Sequence, residues 1–186
     1  MKTTYVCLLS LGIIFGIYGC SSQPNATEQA IETNDERFED DMEEAAEALT
    51  EAFSLNSKIL TASQMAANQT SIPENIKSLA QQLQTDHQQV EQQIQDLGGK
   101  YNVALPQAIN YDAQSDIGKL REATPEEFTD EFIELVESAS EEMIETVKEL
   151  GDEAGDANTD MANFAEQLVP TLEAHQNQLD ELEDSM

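Results

Sequence analysis

The sequence predicts an all-α protein, a bundle of four helices in which a long crossover joins the second helix to the third. Four segments carry apolar side chains at spacings of three and four residues, which puts one apolar stripe on each helix. Capping sequences, glycines and prolines separate these segments. The chain has 186 residues, with few glycines and prolines and no tryptophan, and this length suits one domain with one core.

Helix A is predicted from about residue 36 to 68, and helix B follows after a short turn. Ser71-Ile72-Pro73-Glu74 matches a capping box with proline in the first turn, where its missing N–H does no harm. Gly98-Gly99 is predicted to end helix B in a left-handed conformation. The stripes comprise Phe38, Met42, Ala45, Leu49, Phe53, Ile59, Ser63 and Ala66 in helix A, and Ile76, Leu79, Leu83, His87, Val90, Ile94 and Leu97 in helix B.

Residues 100–123 have no sustained period, which predicts a long crossover with at most a short helical turn. Thr124-Pro125-Glu126-Glu127 is a second capping box and starts helix C. A turn from Gly151 to Gly155 leads into helix D, which Pro170 should bend. The stripes comprise Phe128, Phe132, Leu135, Val136, Ala139, Ser140, Met143, Val147 and Leu150 in helix C, and Met161, Phe164, Leu168, Leu172, His175, Leu179 and Leu182 in helix D.

The length of the link between helices B and C predicts the topology. A long crossover lets these two helices run in the same direction, as in ferritin-like folds. An up-down-up-down bundle would need only a short loop at this point. We therefore expect the crossover topology, with short turns between A and B and between C and D.

The N-terminus predicts export and attachment to a lipid. The uncharged stretch before residue 19 is shorter than the roughly 20 apolar residues of a permanent membrane helix, and it suits a cleavable signal peptide over residues 1–19. Ile17-Tyr18-Gly19-Cys20 resembles a bacterial lipobox, in which the thiol of Cys20 is acylated. The alternative is ordinary cleavage near Gly19, which would leave a free thiol.

This interpretation makes the membrane a partner, through a lipid anchor at Cys20. Ser21 follows the anchor, where enterobacterial retention rules look for aspartate, and this indicates the outer membrane of a Gram-negative host. Whether the domain faces the periplasm or the cell surface stays open. Residues 20–35 are polar without apolar periodicity and are predicted to be a disordered tether, with the bundle domain over residues 36–186.

The charge excludes two classes of partner. Asp and Glu number 38 against 8 Lys and Arg, a formal net charge of −30. Such a field repels the phosphates of nucleic acid and the head groups of anionic lipid. Cys7 is lost with the predicted signal and Cys20 becomes the anchor, so neither a disulfide nor a thiolate metal site is expected.

The candidate chemistry depends on two histidines, His87 and His175, which both lie on apolar stripes. A histidine at such a position is more often a hydrogen-bonded core residue than a metal ligand. Di-iron bundles place Glu-x-x-His on two helices, but Gln84 and Leu172 occupy the glutamate positions here.

The predicted register of the helices also argues against a shared metal. Counted from the predicted helix ends, His87 is level with about Ser140, whereas His175 is level with about residue 133. That offset is roughly 10 Å along the bundle, and an ion must lie within about 2.1 Å of each nitrogen. A conventional di-iron site is therefore not expected.

Other catalytic patterns are missing from the sequence. There is no Gly-x-Ser-x-Gly elbow, no glycine-rich phosphate loop and no His-Glu-x-x-His. The acidic clusters, such as Glu141-Glu142, are interpreted as solvated faces, and the methionines as packing residues and not copper ligands. We predict neither enzyme activity nor a cofactor.

The chain resembles the bacterial domain-of-unknown-function 4142 family, over about residues 38–184. The resemblance is carried by Leu79-Ala80, Asp86-His87, Leu105-Pro106, Phe128 with Phe132, Phe164-Ala165, Leu168-Val169-Pro170 and His175. It implies an exported, ferritin-like helical bundle. Family members usually carry a histidine where this chain has Ser140, and a glutamate near Lys58 or Ile59, so part of any metal site implied by the family is absent.

Together these features predict a lipid-anchored protein of the cell envelope with a structural or binding role and no catalysis. The alternative from a different class is a ferritin-like metal-binding or oxidative-stress protein that uses His87, Asp86 and His175. The missing Glu-x-x-His favours the first prediction.

Overall fold

A computed structural model describes residues 25–155 and 158–183, and within these ranges the chain is all-helical, as predicted. The described residues form six helices and no strand, so the predicted count of four helices is not met. They are α1 (Ala26–Asp35), α2 (Asp41–Ala67), α3 (Glu74–Tyr101), α4 (Tyr111–Glu122), α5 (Phe128–Ala154) and α6 (Thr159–Glu183). The predicted signal peptide and Cys20 lie outside the described residues. No helix in the described part of the chain is long and apolar enough to span a membrane.

The four long helices share one apolar core. Helix α2 packs against both α3 and α5, and α5 also packs against α6. Each of these contacts is antiparallel, so α3 and α5 run in the same direction. Between α2 and α3, Asn56 contacts His87, and Gln69, just after α2, contacts Lys77. Between α5 and α6, Gly151 lies beside Ala165 and Lys148 pairs with Glu173. Between α2 and α5, Glu47 interacts with Glu149 and Glu44 with Glu153. The contact between α3 and α6 is much less extensive than these three.

The predicted disordered tether, residues 20–35, is wrong for the part that the structure describes, because α1 occupies most of it. Asn25 caps α1 by accepting hydrogen bonds from two backbone N–H groups, and the carboxylate of Glu28 accepts one from the N–H of Asn25. This capping box satisfies donors that the first turn of a helix leaves free.

A buried asparagine holds α1 on the rest of the fold. Asn34 is fully buried, its side-chain oxygen accepts from the N–H of Ala104 at 2.7 Å, and its amide donates to the Ala104 carbonyl at 3.1 Å. The same amide donates to the hydroxyl of Thr50 in α2. The segment is polar because hydrogen bonds, and not an apolar stripe, dock it, and a search for apolar periodicity therefore missed it.

Two glycines that were predicted to end helices instead permit close packing inside them. A Cβ atom on Gly98 would lie 2.9 Å from a methyl carbon of Leu105, and one on Gly151 would lie 3.2 Å from the Cβ of Ala165. Helix α3 therefore continues to Tyr101, where Asn102 takes the left-handed conformation (φ 59°). Helix α5 likewise continues past its glycine, Gly151, and ends at Ala154.

The remaining predicted helix boundaries agree with the structure only in part. The first capping box is wrong, because α3 starts after Pro73 with no side-chain cap. The hydrogen bonds of the second are confirmed, since Thr124 and Glu127 exchange side-chain and backbone hydrogen bonds, but α5 begins only at Phe128, after Glu127, which provides no side-chain cap. The crossover was predicted to hold at most a short helical turn, but it contains α4, which an ion pair of 2.7 Å between Asp116 and Lys58 joins to α2.

Candidate functional site

The two histidines meet inside the helical core. His87 of α3 is fully buried and His175 of α6 is 2% exposed, and their ring centroids lie 5.6 Å apart with the ring planes tilted by 40°. The predicted offset of roughly 10 Å along the bundle is therefore wrong. Sequence analysis identified both residues but placed them apart.

The error comes from the turn between α5 and α6. The prediction ended helix C at Gly151, whereas α5 runs to Ala154, and moving a turn along the chain shifts the register of two antiparallel helices by twice that distance. Counting from the contact between Gly151 and Ala165 places His175 level with residue 141, and not with 133.

Asn56 of α2 determines the tautomer of His87. The amide of Asn56 donates to the backbone carbonyl of His87 at 3.0 Å, so its oxygen is the atom that faces the imidazole, 2.8 Å from Nδ1. Because that oxygen can only accept, Nδ1 of His87 carries the proton and donates it. Nε2 then carries a lone pair. Burial, and secondarily the neighbouring His175, lowers the pKa of His87 from 6.5 to about 3, so the ring is neutral.

Asp86 determines the tautomer of His175, as Asn56 does for His87. Its carboxylate lies 3.0 Å from Nε2 of His175, and because a carboxylate accepts, this nitrogen carries a proton. In the neutral ring the lone pair is then on Nδ1. The side chain of Asp86 is 36% exposed, so it connects the buried pair with the surface.

His87 Nε2 and His175 Nδ1 are buried and make no hydrogen bond, and the same holds for the hydroxyl oxygen of Ser140 in α5. Each ring is thus held by one nitrogen, while its other nitrogen has no partner. The buried residues of α5 within one turn of the level of His175 are Ala139, Ser140 and Met143. Buried polar groups are normally hydrogen-bonded, so an unpartnered set is unusual.

A groove of about 640 Å³ lies between α3 and α6 on the surface beside the pair. Asp86 lies in its wall, so the groove leads to the residue that holds His175. The polar residues that line the groove include Gln89, Gln93, Asp96, Asp160, Asn163 and Gln167.

A protein-family model described as a domain of unknown function, DUF4142, matches residues 23–182. The chain belongs to the DUF4142 family. The match covers the helical domain, including α1. No curated protein and no solved structure matches the chain.

The residues of this DUF4142 member do not fit a di-iron centre. Such centres in ferritin-like bundles take a Glu-x-x-His from each of two helices, and Gln84 and Leu172 are at those positions. Among the described residues, no group of three or more histidine, cysteine, aspartate or glutamate side chains is placed to hold a metal ion. The site consists of two imidazoles and their outer hydrogen-bond partners.

Sequence analysis missed Asn56. The apolar stripe of helix A was taken from Phe53 directly to Ile59, but Asn56 lies three residues from each of them and is fully buried. An asparagine at a core position of a helix indicates a buried hydrogen-bonding partner. That signal was present in the sequence.

Proposed function

We propose that this protein is a lipid-anchored component of the cell envelope, whose four long helices form a ferritin-like bundle with a binding role. The binding site is the interior pair of His87 and His175. One observation carries this proposal: the nitrogens of the pair that face away from Asn56 and Asp86 are buried and have no partner. The alternative is a ferritin-like metal-binding or oxidative-stress protein that uses His87, Asp86 and His175, and its di-iron form has less support because the glutamates of such a centre are missing.

The unpartnered atoms favour binding over a purely structural role. A polar network that serves stability has all its members satisfied, and each unsatisfied buried group costs about 1–3 kcal/mol. Leucine at these positions would remove that cost. A ligand bound to the free nitrogens also removes the cost of leaving them unsatisfied, so the unpartnered histidines favour ligand binding.

The proposal includes no catalysis. A histidine whose pKa is about 3 stays neutral at physiological pH and is a weak base, so His87 is poorly suited to general acid–base chemistry. Its burial also keeps it away from large substrates.

Replacing the three interior residues together tests the binding role. In the ligand-free protein, Asn56→Leu/His87→Leu/His175→Leu should have a free energy of unfolding within about 1 kcal/mol of the wild type, or higher, because donors and acceptors are removed together. Chemical denaturation with a chelator present measures this. A loss of more than about 3 kcal/mol would contradict the binding role and make the polar set structural.

The anchor is tested separately through Cys20. Lipobox processing would attach more than one acyl chain, and a single chain gives only marginal membrane binding whereas two signals give stable anchoring. We expect Cys20→Ala to release the protein into the soluble fraction or to accumulate as an uncleaved precursor. Fractionation of cells, with separation of inner and outer membranes, measures this, and Ser21→Ala is the matched control. Normal processing and unchanged membrane attachment of Cys20→Ala would refute the lipid anchor.

A further inference from the structure

We propose that His87 and His175 together bind a single copper(I) ion through His87 Nε2 and His175 Nδ1. This inference rests on the binding role proposed above and names the ligand. It assigns the ion to the two nitrogens that the structure leaves buried and without a hydrogen bond.

Both rings are arranged as metal ligands usually are. Ligating histidines generally give their other N–H to a carboxylate or a carbonyl, which selects the tautomer and orients the ring. Here the acceptors are the side-chain oxygen of Asn56, 2.8 Å from His87 Nδ1, and the carboxylate of Asp86, 3.0 Å from His175 Nε2. Each ring therefore presents a lone pair on its remaining nitrogen.

The separation of the rings suits one shared ion. With metal–nitrogen distances of about 2.1 Å, an ion lies roughly 3 Å from the centre of each imidazole ring. Two such rings on one ion have centroids up to roughly 6 Å apart. The observed 5.6 Å is slightly shorter, which corresponds to a bent N–metal–N arrangement.

The number and charge of the ligands select copper(I). Zinc in proteins takes about four ligands, and no third histidine, cysteine or carboxylate joins the pair among the described residues. Two neutral imidazoles leave a divalent charge uncompensated in an apolar interior, which is costly. A monovalent ion that accepts two ligands needs less compensation, and the carboxylate of Asp86 behind His175 supplies one negative charge.

The surroundings agree with a soft cation. Met143 is fully buried within one turn of the level of His175, and thioethers and imidazoles both suit copper(I). The groove between α3 and α6 carries Asp86, Asp96 and Asp160, and the chain as a whole has a formal charge of −30. This field attracts cations to the groove, in whose wall Asp86 lies.

The test is a competition titration of the full chain against a chromophoric copper(I) chelator, without oxygen, in mild detergent and without a polyhistidine tag. We expect one copper(I) per chain beyond any bound by variants that lack the pair. His87→Leu and His175→Leu should each lower the affinity by at least ~100-fold, and Asp86→Asn, which keeps an acceptor for His175, by ~10-fold. Ser63→Ala, at another buried hydroxyl without a partner, is the matched control and should bind as the wild type does.

The possible outcomes distinguish a failure of the copper assignment from a failure of the proposed binding role. Equal binding by the wild type and both histidine variants would overturn the copper proposal, because residues other than the histidine pair would then account for the metal. No binding by the wild type would overturn it as well. If the triple leucine variant nevertheless kept its stability, the binding role would survive with a different ligand. Circular dichroism of each variant verifies that a lost affinity does not reflect unfolding.

Discussion

Replacing Asn56 by leucine is expected to lower the free energy of unfolding by about 2–4 kcal/mol. Asn56 is fully buried and makes two hydrogen bonds to His87, one to its ring and one to its backbone carbonyl. Leucine can make neither, so the Nδ1–H of His87 would be left in the core without an acceptor. The cost is large because the partner stays buried when only one member of the pair is removed.

Chemical denaturation of metal-free protein measures this effect, and Asn177→Leu is its control. Asn177 is exposed on α6, so the same chemical change there should alter the stability by less than about 0.5 kcal/mol. In the double variant Asn56→Leu/His87→Leu, the loss should be smaller than the sum of the two single losses. If the Asn56→Leu protein were as stable as the control, the contact between Asn56 and His87 would contribute nothing to the free energy of unfolding.

Acid should destabilise the metal-free protein through His87, by several kcal/mol between about pH 6.5 and pH 3. The pKa of His87 is lowered to about 3 in the folded protein, by burial first and by His175 second, from 6.5. In that interval the unfolded chain binds a proton that the folded chain does not, so stability falls as the pH falls. Each unit of pKa corresponds to about 1.4 kcal/mol, which makes the contribution of His87 several kcal/mol.

Some carboxylates act in the opposite direction and others in the same direction, so both must be separated from this effect. The hydrogen bond from Lys58 lowers the pKa of Asp116, so protonating Asp116 destabilises the folded state, as protonating His87 does. Burial and neighbouring carboxylates raise the pKa of Glu47, Glu51 and Glu137, so protonating these groups favours the folded state as the pH falls. Among the described residues, the His87 ring contacts the oxygen of Asn56 and the tilted ring of His175, and Asp86 lies behind His175.

Comparing denaturation midpoints of the wild type and His87→Leu across this pH range isolates His87, because the carboxylates are common to both. The variant should lose less stability on acidification than the wild type. Parallel pH profiles would contradict the assignment of a buried, neutral His87.

The sequence was sufficient for the fold class because long helices carry a strong periodic signal. The stripes of the four long helices contain residues that are buried in the structure, such as Leu49, Leu83, Phe132 and Leu172. It was insufficient for α1 and α4, which are short. Of its described side chains, helix α4 buries only Ala113, Ile117 and Leu120, a stripe too short to stand out as a sustained period, and polar contacts help to hold both helices. Asn34 docks α1 through the backbone of Ala104, and Asp116 docks α4 through Lys58, and neither contact has a periodicity.

The two histidines of the candidate site could be identified from the sequence, but their arrangement in space could not. Both histidines were identified as inward residues from their stripes, and Asp86 as a neighbour of one of them. Whether they meet depends on the register of α3 against α6, and that register depends on where α5 ends. Gly151 was taken as a helix end because glycine favours turns, whereas its role is close contact with Ala165, which only the three-dimensional packing reveals.

The most direct test of the account is the tautomer of each histidine, measured by nitrogen NMR of metal-free protein labelled on its histidines, at mildly alkaline pH. With only two histidines in the chain, His175→Leu is enough to assign the signals. We expect His87 to carry its proton on Nδ1 and His175 on Nε2, which leaves the two inner nitrogens unprotonated. A proton on Nε2 of His87 or on Nδ1 of His175 would contradict the proposal that these two nitrogens form a binding site.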